Sequence, residues 1–151
     1  MRDFLVLKLQ EDSDGTAELF VQFKRGEFSG LGSAWFNTRD VRAFGEKVAG
    51  TYPIPQGEEI AIAGGYWSSD DPPRVREAHA AIRIYAIGSS GRLGVQVKVA
   101  EPSYDCNRPE SLSSASAEIE TKYEQLRAFG KDIVAMTLGT LTSAALESSD
   151  A

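Results

Sequence analysis

Leu19-Phe20-Val21-Gln22-Phe23-Lys24 and Leu93-Gly94-Val95-Gln96-Val97-Lys98 read alike, and both alternate apolar and polar residues as half-buried strands do. A second pair follows in the same order. Val41-Arg42-Ala43-Phe44-Gly45-Glu46-Lys47-Val48 resembles Leu126-Arg127-Ala128-Phe129-Gly130-Lys131-Asp132-Ile133, and both carry the three-and-four spacing of an amphipathic helix. Strand text precedes helix text twice, as expected of two copies of one supersecondary unit. The span from Gln22 to Phe44 is 22 residues and that from Gln96 to Phe129 is 33, which calls for an 11-residue insertion in the second copy, near Ser103 to Leu112. Convergence between amphipathic elements that bury similar faces is the alternative.

Working outward, Phe4 to Leu9 reads as a first strand, and Glu11-Asp12-Ser13-Asp14-Gly15 as a turn. Ala17 to Lys24 is a strand with Leu19, Val21 and Phe23 on one face. Phe28 to Asn37 returns, and Gly30 and Gly32 are expected to interrupt it. Trp35, within this strand, is expected in the core. Thr38 suits a helix N-cap, with Asp40 in the first turn and Gly50 placed to end the helix in a left-handed conformation. Thr51 to Gly57, with Pro53 and Pro55, is the expected seam.

Glu59 to Ala63, Val75 to Ile87, Leu93 to Val99 and Ser114 to Glu120 read as further strands, with a hairpin turn at Gly88-Ser89-Ser90-Gly91. A second helix starts at Thr121 and presents Tyr123, Leu126, Phe129, Ile133 and Met136 as one stripe, ending near Gly139. The expectation is an α+β fold: antiparallel strands with two helices on one side, as two β-β-β-α repeats (1–50 and 58–139) in one domain, 1–147, with a frayed tail at 148–151. Gly45 and Gly130, each just after the helix phenylalanine, are expected where a helix approaches the sheet closely. A mid-helix glycine costs about 1 kcal/mol against alanine, so two at matching positions point to a packing need.

At 151 residues the chain suits one domain, which can bury about 70% of its unfolded surface without a metal or a disulfide. A net charge of −6 argues against nucleic acid and suits a basic partner. A single cysteine, Cys106, excludes an internal disulfide and a cysteine-based zinc knuckle. Phe4 to Leu7 is too short for a signal peptide's apolar core, and no apolar stretch approaches the ~18 residues of a membrane helix. A cytoplasmic protein with no membrane association is expected.

No motif names an activity. Glu118 and Glu120 share a strand face, and acid–base work would need them in a cleft with separated pKa values. His79 and Tyr85 lie along one strand, and Cys106 lacks a neighbouring base in the sequence. No calcium-loop spacing, phosphate loop or Gly-x-Ser-x-Gly occurs, so no cofactor, metal or catalytic residue is assigned. The most suggestive surface feature is Tyr66-Trp67 ahead of Asp70-Asp71. Aromatic anchors beside acidic residues fit a protein partner of basic charge, and these four residues are the expected contact. The alternative is that Trp67 folds back to cap the sheet edge.

Glu27-Phe28-Ser29-Gly30, Ala34-Trp35-Phe36, the Asp40-Val41-Arg42-Ala43-Phe44 helix start, Gly91-Arg92-Leu93-Gly94-Val95-Gln96-Val97 and Tyr123-Glu124-Gln125-Leu126 stand in an order that resembles a family of small bacterial proteins of unknown function. Some of its relatives look like immunity proteins of toxin systems, in particular the immunity partner of a wall-associated contact-dependent toxin. The likeness runs from about Ala17 to Leu146 and lies mainly in hydrophobic and glycine positions. It implies an intracellular α+β protein with no known catalytic residues, and the leading expectation is a non-enzymatic, immunity-type binding protein that masks a basic toxin domain. A self-associating module, in which an edge strand pairs with a second copy as a homodimer, is the other expectation.

Overall fold

A computed structural model describes residues 2–104 and 106–148. Its elements run β1 (Phe4–Glu11), β2 (Thr16–Arg25), β3 (Phe28–Asn37), α1 (Thr38–Gly50), β4 (Glu59–Trp67), β5 (Val75–Ile87), β6 (Arg92–Ala100), β7 (Ser114–Lys122), α2 (Tyr123–Thr137) and β8 (Ser143–Glu147). The strands form two four-stranded antiparallel sheets, ordered β3-β2-β1-β8 and β4-β5-β6-β7. The fold is α+β.

The two strands that opened the sequence reading take matching places. β2 is second from the β3 edge of the first sheet, and β6 is second from the β7 edge of the other. Leu19, Val21 and Phe23 are buried on one, and Leu93, Val95 and Val97 on the other. The connections differ as the spacing requires: β2 reaches β3 through Gly26 and Glu27, whereas residues 101–113 join β6 to β7, eleven more. The segments are nevertheless not two consecutive β-β-β-α units. β4, which follows α1, pairs with β5; β8, which follows α2, pairs with β1. With the expected bounds, the second sheet lies wholly within 58–139 and the first within 1–50 except for β8, which comes after residue 139. Equivalence of place, not descent, is what the fold records.

β8 had no counterpart in the sequence reading. Only Ala144 and Leu146 of its five residues are buried, too short an alternation to stand out. Ser148 is tied down as well, its backbone N–H donating to the Asp3 carbonyl at 3.1 Å, so it does not fray; 149–151, the rest of that expected tail, lie outside the described residues.

β3 is continuous rather than interrupted, and its glycines serve close approach. The strand lies across the second sheet. A Cβ at Gly30 would stand 2.7 Å from Val99 Cγ2, and one at Gly32 2.8 Å from Val99 Cβ. Further along, Gly64 of β4 makes room for Phe36 and Ala34.

The mid-helix glycines also mark a close approach, but to the other helix, not to a sheet. A Cβ on Gly45 would lie 2.8 Å from Ile133 Cγ2, and one on Gly130 would lie 2.4 Å from the Ala49 backbone nitrogen. The stripes Val41, Phe44, Val48 and Leu126, Phe129, Ile133, Met136 are buried around this crossing.

The α1 cap falls one residue before its expected place. Asn37 is the extended cap residue, and the Thr38 amide donates to the Gly15 carbonyl at 3.0 Å, so strand passes directly into helix. At the other end Thr51 leaves in extended conformation toward Pro53, so Gly50 needs no left-handed turn. α2 does close near Gly139, whose φ is +81°. Among the described residues no helix is long and apolar enough to cross a membrane.

Candidate functional site

Alternation along β3 sets the site. Ala34 and Phe36 point into the core, so Trp35 between them faces outward and is 53% exposed, contrary to its expected burial. Just beyond, α1 begins, and its first and third turns carry Asp40 and Lys47. β4 runs opposite and ends on Trp67, itself 50% exposed. Together Trp35, Asn37, Asp40, Lys47, Ala61 and Trp67 line a groove of about 460 Å³ whose wall also includes Phe36 and Phe44. The Asn37 side-chain amide donates to an Asp40 carboxylate oxygen at 3.3 Å, which orients that acid at the rim.

The four residues singled out in the sequence are not gathered around the groove. Trp67 alone lines the groove. Tyr66 turns elsewhere: two register shifts, at Gly64/Gly65 and Tyr66/Trp67, break the β4–β5 ladder. Its ring meets His79 edge-on, centroids 4.6 Å apart, with Tyr104 at 6.5 Å. Asp70 is paired with Arg74 at 2.7 Å in the exposed β4–β5 turn, and Asp71 is exposed beside it; neither lines the groove.

The cluster behind Tyr66 is a structural latch. His79, 5% exposed, approaches Glu77 with Nε2 at 2.5 Å from the carboxylate, and Glu77 also accepts the Ser103 amide at 3.1 Å. Hydrogen bonding from Ser103, then from His79, holds the Glu77 carboxyl down at about 2. One carboxylate thereby anchors the start of the long β6–β7 connection.

The other sequence candidates are separated from each other. Glu118 accepts the Tyr85 hydroxyl at 2.5 Å, whereas Glu120 takes Arg92 at 2.7 Å. Each has its own partner on the open face of the second sheet, not a shared cleft. Burial and then the Glu118 bond push the Tyr85 phenol up to about 12. Cys106 is exposed, its thiol lowered by the Ser111 hydroxyl and then by hydrogen bonding with the Arg108 backbone. Among the described residues no group of three or more His, Cys, Asp or Glu side chains is placed to hold a metal ion.

Sequence reasoning missed Trp35, Asn37, Asp40 and Lys47 as groove residues. The signal for Trp35 was present: Ala34-Trp35-Phe36 cannot put all three side chains on one face of a strand. No family model, no curated protein and no solved structure matches the chain.

Proposed function

We propose that this chain is a non-enzymatic binding protein that receives a protein partner in the groove between Trp35 and Trp67. One observation carries the reading: two tryptophans, each about half exposed, line one groove with a carboxylate and an ammonium at hand. Tryptophan is ordinarily mostly buried, and the large apolar surface it offers makes it a frequent energetic anchor of interfaces. The net charge of −6 supports a basic partner by steering its approach. Neutralisation of a toxin domain by masking, in the cytoplasm, is the concrete form we propose, from the family likeness together with the chain's acidic balance and this aromatic groove.

Affinity capture from a native lysate tests it, with the Trp35→Ala/Trp67→Ala variant and a Tyr66→Ala control. We expect a stoichiometric protein partner with wild type and with the control, and its loss with the double variant at unchanged thermal stability. Equal recovery by the double variant would remove the groove from the reading.

A further inference from the structure

Three of the four sheet edges carry protection against adding another strand. β8 has only five residues, β4 is broken by two register shifts, and β7 carries Glu118, Glu120 and Lys122. β3 has no such device. Its ten residues, Phe-Ser-Gly-Leu-Gly-Ser-Ala-Trp-Phe-Asn, contain no charge and no proline, and its pairing with β2 is regular throughout. Phe28, Leu31 and Trp35 stand exposed along it. Natural proteins blunt long, flat, apolar edges, so one left open marks a place where a strand is added.

The open side of β3 is bordered by two clefts. One is the tryptophan groove at Trp35 to Asn37. The other, about 380 Å³, lies between Ser29 to Ser33 and the segments Val99 to Pro102 and Ser113 to Ala115. Between them they follow almost the whole strand. Among the described residues, β3 makes backbone ladder bonds to β2 alone.

We infer that the partner binds as an extended peptide segment that adds a fifth strand to the first sheet along β3. This rests on the reading of the Trp35–Trp67 groove as the partner site. Backbone bonds to β3 hold the segment, and alternate side chains divide between two tasks. One set packs against Leu31 and Trp35, which line the clefts from one face of the strand; the other meets the lining that Gly30, Gly32 and Phe36 supply from the opposite face. Lys47 offsets Asp40 in the first cleft, whereas Glu101 is the one charged residue lining the second. The segment therefore has apolar residues at alternate positions and a lysine or arginine where it meets Glu101. A second copy of the chain fits less well. Antiparallel β3–β3 pairing would offer Glu101 no cation, because β3 carries no charged residue.

The test uses random linear dodecapeptides displayed on phage, selected on the full chain. The consensus peptide is synthesised and titrated calorimetrically against wild type, Trp35→Ala, Trp67→Ala and Glu101→Gln, each checked for an unchanged melt. Two further peptides carry N-methyl groups on every second amide, in opposite phases. We expect one phase to weaken binding about tenfold or more and the other to change it less than about twofold, since only one set of amides faces β3. Hydrogen exchange at alternate β3 amides should slow in the complex. Equal sensitivity to both phases, or no protection of β3, overturns the inference. Recovery of no tryptophan-dependent peptide also overturns it, and if lysate capture still depends on Trp35 and Trp67, the groove reading survives alone. A peptide indifferent to both tryptophans likewise overturns the inference, and the groove reading falls with it only where lysate capture is also indifferent to them. A concentration-dependent dimer that protects the same β3 amides makes a second copy the occupant.

Discussion

Gly130 faces backbone, and Gly45 faces a side chain. A Cβ at position 130 meets backbone alone, the Ala49 nitrogen at 2.4 Å and Cα at 2.8 Å, whereas one at position 45 meets Ile133 Cγ2 at 2.8 Å and Cβ at 3.0 Å and the Gly130 carbonyl at 3.1 Å, a looser approach. Overpacking costs about 1–3 kcal/mol, and a helical alanine returns about 1 kcal/mol of propensity. We therefore expect Gly130→Ala to lose about 2 kcal/mol in urea unfolding and Gly45→Ala about 1 kcal/mol or less, with leucine worse at both. Glu77 makes a different residue-scale prediction. Its folded value, about 2, lies below the ordinary 4.5, so its contribution is complete above about pH 4.5 and is lost as pH falls through about 2. Urea midpoints of wild type and Glu77→Gln should accordingly converge as pH drops across that window; a gap constant with pH would contradict the latch to Ser103 and His79. Trp35 shows what a single residue conceals. Its neighbours Ala34 and Phe36 announce a strand, but which of them faces the core depends on where β3 crosses the second sheet, and that is set by Gly30, Gly32 and Gly64 meeting partners distant in sequence.

At the scale of elements, long periodic segments were legible and short or exchanged ones were not. β5 and β6 fell where alternation put them, and the helical stripes of α1 and α2 are buried as their spacing requires. β8 was invisible because two buried residues make no period, yet it closes one edge of the first sheet beside β1. Leu146, 1% exposed, is its main anchor. Leu146→Ala should cost about 3 kcal/mol, the middle of the range for a buried leucine. Calorimetric melting checks this, and a shift of less than a degree or two would mean that β8 contributes little. The 101–113 connection belongs to the same scale. Its length was legible as an insertion between matching segments, whereas its attachment through Glu77 and Ser103 depends on a contact between different strands' ends.

For the whole molecule, β4, which follows α1, joins the second sheet and β8, which follows α2, joins the first, an exchange that ties the two sheets together through the chain. The repeated text foretold which strands and helices occupy matching places, but not that their fourth strands cross over, because pairing partners leave no local pattern. The same exchange builds the candidate site: β4 belongs to the second sheet, yet its Trp67 shares a groove with Trp35 of the first. Trp67 was identifiable from the sequence as an aromatic beside acidic turns; the residue it shares a groove with is not Tyr66, one residue away, but a tryptophan 32 positions earlier. The most direct measurement is quantitative lysate capture by wild type, Trp35→Ala/Trp67→Ala and Tyr66→Ala, all shown to melt alike. The account predicts one stoichiometric partner retained by wild type and Tyr66→Ala and lost with the tryptophan pair. A partner retained by the tryptophan pair, or lost only with Tyr66→Ala, would contradict it.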